Sequence, residues 1–440
     1  MKQRVGTDYY PSPFKYSGNN GQIMTRFFEH KNIRSLLVLI IAISIFFVTA
    51  CSTSSVNEPE QTTESQIQTA GDASKTDAAK EEEPTTEEIV KDGWLQEDGK
   101  NVYYIEGEPA EGFNNLDQGM FYLDKGVAKT GWFRVDGERH YAFDTGVLAS
   151  GATKVEDRYY IFDEMGRPVE ESDLQASLGE VPVNNSTAPG NYAGNSDGNN
   201  YESLSIQGLG GYEPTAEEKQ LLQSCIDEIE PTYTLGFMMI NLYTGEGICY
   251  NPDADYYSAS AIKGPYIASL VAAKPELIDS MGGTLSGIVM YSENEQYSAL
   301  RRSQGGVCLS DWYAASGIDS SAFTNYNYPR VSARILAKLW IHNYYFFNTD
   351  ETGMSIRTWY EDPINSAIDF SSIGLTCKTE SKAGWICEGH YIASNDAGII
   401  YPMHSAPYLI SVCSDIPANL EMLEPLCEAL AKVYWNNVED

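Results

Sequence analysis

The sequence predicts a multidomain chain in which an all-β array of small hairpins precedes an α/β domain. Two patterns point to it. Gly93-Trp94, Gly112-Phe113, Gly131-Trp132 and Gly151-Ala152 recur every 19 or 20 residues, each followed by a short aromatic stretch and a glycine turn. After residue 212, strand-like runs stand at both ends of a mostly helical middle. At 440 residues the chain exceeds the ~100–200 residues of a usual single core, which leaves room for both.

Residues 1–51 read as a leader. Lys15, Arg26, Lys31 and Arg34 precede an almost wholly apolar run from Ser35 to Ala50, with Met24 an alternative start. The run is short for a spanning helix, which needs about 20 residues, and suits a signal-peptide core. Its end, Val48-Thr49-Ala50-Cys51, resembles a bacterial lipoprotein signal. The resemblance implies lipid on Cys51 and an anchor on the outer face of the cytoplasmic membrane, at the cell wall. An uncleaved anchor helix is the other reading, and both place the chain after Cys51 outside the membrane. Residues 52–90 are rich in Thr, Ser, Gln and Glu. They bury too little to offset ordering entropy and read as a disordered acidic linker.

Residues 91–170 carry the repeats, with Tyr103-Tyr104, Phe121-Tyr122, Tyr141-Ala142-Phe143 and Tyr160-Ile161-Phe162 between the glycines. The pattern resembles cell-wall-binding repeats of the choline- and glucan-binding type. That implies a hairpin solenoid whose partner is a wall polymer, either choline-bearing teichoic acid or glycan. The aromatics have two readings: solenoid core, or cages and platforms for a quaternary ammonium or a sugar ring. Ala152 stands where Trp is expected, so the last repeat reads as a cap. Residues 171–211, rich in Gly, Asn and Ser, read as a second, flexible linker.

Residues 212–440 form the α/β domain. Thr215-Ala216-Glu217-Glu218 caps an amphipathic run through Ile229. Leu235 to Leu242 and Gly245 to Asn251 form a hairpin around Tyr243-Thr244-Gly245. A helix covers Tyr266 to Ala273 and another Val331 to Ile341; strands return at Leu375 to Ile386, Tyr391 to Tyr401 and Ala406 to Asp415. A helix from Leu420 to Trp435 closes the chain.

Ser260-Ala261-Ile262-Lys263 sets a hydroxyl and an amine three residues apart at the start of an apolar helix. Positions i and i+3 share a helix face, and a neutral lysine can take the proton that makes serine nucleophilic. An ordinary helix start with an exposed lysine shows the same four letters. Two later stretches, Ser292-Glu293-Asn294 and Lys382-Ala383-Gly384-Trp385, come after it in order. Together the three resemble the S-x-x-K, S-D-N and K-T-G motifs of the penicillin-recognising serine hydrolases, and most closely the class A β-lactamases. The resemblance covers about Thr215 to Val438. It implies an α/β sandwich with one five-stranded antiparallel sheet and helices on both faces, the first and last helices side by side. It also implies Ser260 as nucleophile, Lys263 as proton acceptor, Ser292 and Lys382 as catalytic partners, Asn294 on the substrate's amide, and Ser260 and Trp385 N–H groups as an oxyanion hole beside Gly384.

Three features depart from the motifs. Glu293 replaces Asp, and Ala383 replaces the usual hydroxyl residue. Lys378-Thr379-Glu380 keeps the Thr but lacks the glycine, so Lys382 is preferred. The third departure is larger: class A enzymes activate the deacylating water with a loop glutamate, and here no glutamate lies between Glu295 and Glu351. Asp311 and Asp319 are the carboxylates of the matching loop, and each also reads as a turn or cap residue.

The net charge of −33 argues against a nucleic-acid partner, whose affinity rests on basic side chains. Eight cysteines and five histidines are dispersed, with no pairing that predicts a metal or other cofactor. Cys225 and Cys427 fall in the two terminal helices and are the best disulfide pair; buried free thiols are the alternative. The expected function is a surface serine hydrolase acting on β-lactams or on D-alanyl peptides of peptidoglycan, slow to deacylate. Alternatives are a D,D-peptidase or transpeptidase, or a non-catalytic wall-binding protein with a degenerate hydrolase domain.

Overall fold

The computed structural model describes residues 91–181, 204–319, 326–369, 377–403 and 405–436. The expected leader with Cys51 and the acidic linker lie outside these residues. No helix among the described residues is long and apolar enough to cross a membrane.

Residues 93–162 form four hairpins. β1 (Gly93–Glu97) pairs with β2 (Lys100–Ile105), which also pairs with the short β3 (Glu108–Pro109). β4 (Gly112–Leu116), β5 (Gly119–Asp124) and β6 (Val127–Ala128) repeat that arrangement. β7 (Gly131–Val135) pairs with β8 (Glu138–Ala142), and β9 (Gly151–Val155) with β10 (Arg158–Phe162). Local turn chemistry explains the hairpins. Asp98-Gly99, Glu106-Gly107, Lys125-Gly126 and Asp136-Gly137 each carry two consecutive positive φ angles. That is the two-residue turn whose twist matches the flanking strands. Successive hairpins are joined through Tyr103 N to Gly126 O, Leu148 N to Met120 O and Tyr141 N to Gly166 O, each at 2.8 Å.

The chain then departs from the expected linker. Residues 171–177 form α1 (Glu171–Ser177), with Leu174 and Leu178 buried. The helix lies against α7 (Ala333–Thr349), where Lys338 Nζ donates to Gln175 O at 2.7 Å and Gln175 Nε2 returns to Lys338 O at 2.9 Å. Tyr345 donates to Val169 O at 2.9 Å, and Arg334 donates to Leu178 O. Polar composition concealed this docking because it needs few apolar side chains. Most of its polar partners are backbone carbonyls, and one side-chain pair, Glu171 with His342 at 2.6 Å, joins them.

The sheet of the α/β domain runs β11 (Gln207–Leu209), β13 (Gly247–Tyr250), β12 (Leu235–Asn241), β19 (Tyr408–Ser414), β18 (Tyr391–Pro402), β16 (Cys377–Ser381), all antiparallel. β17 (Gly384–Glu388) pairs with the first half of β18, while β16 pairs with its second half. The sheet therefore has seven strands, which corrects the expected five. One extra strand comes from residues assigned to the linker. Another comes from the break at Lys382-Ala383, which splits the single strand expected over Leu375 to Ile386 as far as it is described.

Helices cover both faces. α2 (Ala216–Ile229), capped by Thr215 and Glu218 in a reciprocal capping box, packs beside α9 (Glu424–Asn436) through Leu222, Ile226, Leu426 and Leu430. α3 (Lys263–Ala273), α4 (Leu277–Met290), α5 (Asn294–Gln304), α6 (Val307–Ala315) and α7 form the other layer with α8 (Glu351–Ile356). The expected terminal-helix neighbours are present, but their thiols are not joined. Cys225 and Cys427 are both free, as are the other described cysteines. Cys427 is buried in the core, whereas Cys225 is half-buried and turned toward Pro425 O.

Candidate active site

Ser260 lies in a 3-10 turn, Ala259–Ile262, that runs directly into α3 at Lys263. Side chains three apart nearly eclipse one another in such a turn. Before it, β14 (Tyr256–Tyr257) pairs with β15 (Arg330–Val331), so the nucleophile segment is stitched to the loop that precedes α7. Ala259 has φ 45° and Ser292 φ 59°. Left-handed backbone costs energy for residues with a Cβ and persists only where the surroundings enforce it.

Part of that enforcement is visible. Asn395 on β18 donates to Tyr257 O at 2.8 Å and Ser258 O at 3.1 Å, and accepts from Ser414 N at 3.1 Å. Gly384 on β17 lies against the same turn. A Cβ there would stand 2.5 Å from Ser260 N, and closer still to Ala261 N, so only glycine lets the two backbones approach.

Lys263 is fully buried. Its Nζ donates to Ser292 O at 2.8 Å and Asn294 Oδ1 at 2.7 Å, with Ser292 Oγ at 3.4 Å. Burial, and after it the positive charge of Lys382, bring the amine down to about 7, with Glu293 opposing the shift. Desolvation therefore dominates. Lys382, also fully buried, sits where β16 breaks, and its Cβ limits space at Gly264. Burial brings its amine down to about 8, with Asp396 opposing. Its Nζ has no hydrogen-bond partner among the described residues. The rival Lys378 is 40% exposed and paired with Glu361 and Glu380, so it lies outside this cluster.

The structure thus brings Lys263, Ser292 and Asn294 into hydrogen-bonding contact and Gly384 against Ser260. Ser260 itself is half-buried, and Trp385 packs partly against the core on the α2 face. Asp311 is exposed on α6 and Asp319 is exposed beyond it. Among the described residues of that loop, Tyr328 lies at Lys263, its ring centroid 5.9 Å from Nζ and its hydroxyl donating to Asn294 Oδ1 at 3.3 Å.

Three functional-looking residues escaped the sequence reading. Asn395 and Asp396 belong, with Ser394, to a polar run inside a largely apolar strand, a signal that was present. Asp396 is fully buried and accepts from Ser366 Oγ at 2.7 Å and Ala367 N at 2.6 Å; burial raises its carboxyl to about 6 against those bonds. Tyr328 carried no comparable signal. Among the described residues no cluster of three His, Cys, Asp or Glu is placed to hold a metal ion. A cavity of about 530 Å³ opens between the last hairpin and the α/β domain, lined by Glu164, Tyr243, Arg357 and Tyr401 among others. None of its lining residues belongs to the site around Ser260.

In the hairpin array the aromatics pack on one another. Trp94 lies 5.0 Å from Tyr103 and 5.6 Å from Phe121. Arg139 stacks its guanidinium 3.4 Å from the Trp132 ring, which occupies the face that a ligand cation requires.

No family model and no curated protein sequence matches the chain. Among solved structures it is similar to PBP-A, at 14% identity and a TM-score of 0.41, covering 49% of this chain and 96% of that one. A β-lactamase from Chitinophaga pinensis is similar at 14% identity and a TM-score of 0.42, covering 50% and 99%. A β-lactamase from Desulfarculus baarsii is similar at 12% and 0.40, covering 50% and 98%.

Proposed function

We propose that the chain is a serine acyl hydrolase, acylated at Ser260 by β-lactams or by D-alanyl peptides of the cell wall. The observation that carries this reading is the buried Lys263 amine, held by Ser292 and Asn294 one turn after Ser260 and lowered to about 7. A lysine near neutrality can accept a proton at physiological pH, which an exposed lysine cannot. In the proposed acylation Ser260 Oγ attacks the carbonyl carbon and its proton passes to Lys263. The carbonyl electron pair moves onto oxygen, beside the Ser260 and Trp385 N–H groups. Collapse expels the amide nitrogen, which takes a proton by way of Ser292. Lys382 supplies positive charge for a substrate carboxylate.

Hydrolysis of the ester requires a second step, in which a water is activated to attack the ester carbonyl, and the sequence offers no loop glutamate for it. The acyl-enzyme is therefore long-lived in this proposal. Lipid on Cys51 holds the protein at the outer face of the membrane, and the hairpin array binds a wall polymer. Whether that polymer is glycan or choline-bearing, the Trp132 face is already taken by Arg139, so the contact is made by other rings of the array. Intact-protein mass spectrometry after exposure to penicillin tests the central claim. One added penicillin mass, mapped to Ser260, is expected, and no adduct at any concentration refutes it.

A further inference from the structure

We infer that Tyr257, Tyr328 and Tyr391 form one wall of the site's mouth and select substrates whose acyl side chain ends in a flat apolar group. The inference rests on the proposed role of Ser260. Three elements converge to build the wall. Tyr257 stands three residues before Ser260 on β14, and its register partner Arg330 brings Tyr328, two residues earlier, alongside. Tyr391 opens β18 opposite Glu388 of β17. The Tyr257 ring lies 6.0 Å from Tyr328 and 4.8 Å from Tyr391, centroid to centroid.

The row has an inner and an outer end. At the inner end the Tyr328 hydroxyl donates to Asn294 Oδ1 and its ring stands beside the Lys263 amine. Tyr297, fully buried 5.3 Å behind it, backs the ring. At the outer end Tyr391 is 39% exposed and its neighbour Ile392 36%. The rings thus run from the buried amine to solvent. Core packing alone accounts for Tyr297, but not for a contiguous row that stays partly open at the mouth of a polar site. A flat apolar group laid along it gains burial and ring–ring contact, whereas a methyl or a charged group gains little.

The test compares acylation of the full chain by benzylpenicillin with that by 6-acetamidopenicillanic acid, which keeps the amide and the lactam and lacks the ring. The ratio of second-order acylation rate constants is expected to favour benzylpenicillin. It should fall by about 5- to 10-fold in both Tyr391→Ala and Tyr257→Ala, the scale of one lost aromatic contact. Tyr391→Phe, which keeps the ring, should retain the ratio. Acylation with a ratio unmoved in both alanine variants overturns the wall and leaves the hydrolase reading standing. No labelling of Ser260 by either compound overturns the hydrolase reading, and the wall with it.

Discussion

The hairpin array and the α/β domain treat charge in opposite ways. In the array the charged side chains lie mostly at the surface, and the buried polar groups are His140 and Asp163. Asp163 is satisfied by its own turn, accepting from Met165 N and Arg167 N at 2.9 Å each. In the α/β domain Lys263, Glu380, Lys382 and Asp396 are all wholly removed from water. Small clusters such as Ala110, Phe121 and Leu123 shield a few rings, not an ion. A sheet covered on both faces can shield an ion, and desolvation moves Lys263, Lys382 and Asp396 toward neutrality. The array is suited to contact and the sandwich to proton transfer.

The sharpest way to break that contrast is Ser260→Ala, which should abolish penicillin adduct formation altogether. An adduct that persists in the variant, read by mass spectrometry, would relocate the chemistry. Next in size is deacylation. General-base help is typically worth about 100–10,000-fold, so the native adduct should decay that much more slowly than in an enzyme that has such a base. Rapid loss, unaltered in Asp311→Asn and Asp319→Asn, would reveal a base elsewhere.

The pH profile sharpens the electrostatic half of the comparison. Lys263 must be neutral to accept a proton and Lys382 charged to attract a carboxylate. Acylation should therefore climb about tenfold per unit up to about pH 7 and decline above about pH 8. A rate that is flat from pH 6 to 9 would mean that neither buried amine controls the step.

Smaller effects belong to the array and its seam. Gly131 has φ +67° with open space around a would-be Cβ, so Gly131→Ala should cost only about 1 kcal/mol. Gly384→Ala, by contrast, pushes into the backbone of the Ser260 turn and should lower both the acylation rate and the midpoint of thermal unfolding by more than Gly131→Ala does. The exposed Lys154–Glu351 pair at 3.5 Å links the array to α8, and Lys154→Ala should cost about 0–1 kcal/mol by denaturant titration.

Sequence alone determined the features that rest on local physics. The Asp-Gly, Glu-Gly and Lys-Gly turns between aromatic stretches dictate hairpins because the backbone conformation is chosen by the turn residues themselves. The Thr215–Glu218 cap and the apolar strands before residue 251 were readable for the same reason. So was the order of the three motifs.

Tertiary structure decided whatever depends on partners far away in the chain. It docked α1 onto α7, added β11 at the sheet edge, split β16 from β17, and set Tyr328 rather than a carboxylate at the Lys263 amine. Above all it set the protonation of the site. A lysine becomes a base near neutrality when water is excluded, and a second positive charge nearby adds to the shift. For Lys263 those conditions come from the packed layer around α3 and from Lys382, 119 positions later in the sequence. Local residue pattern carries no record of desolvation, because desolvation is a property of what folds over a side chain.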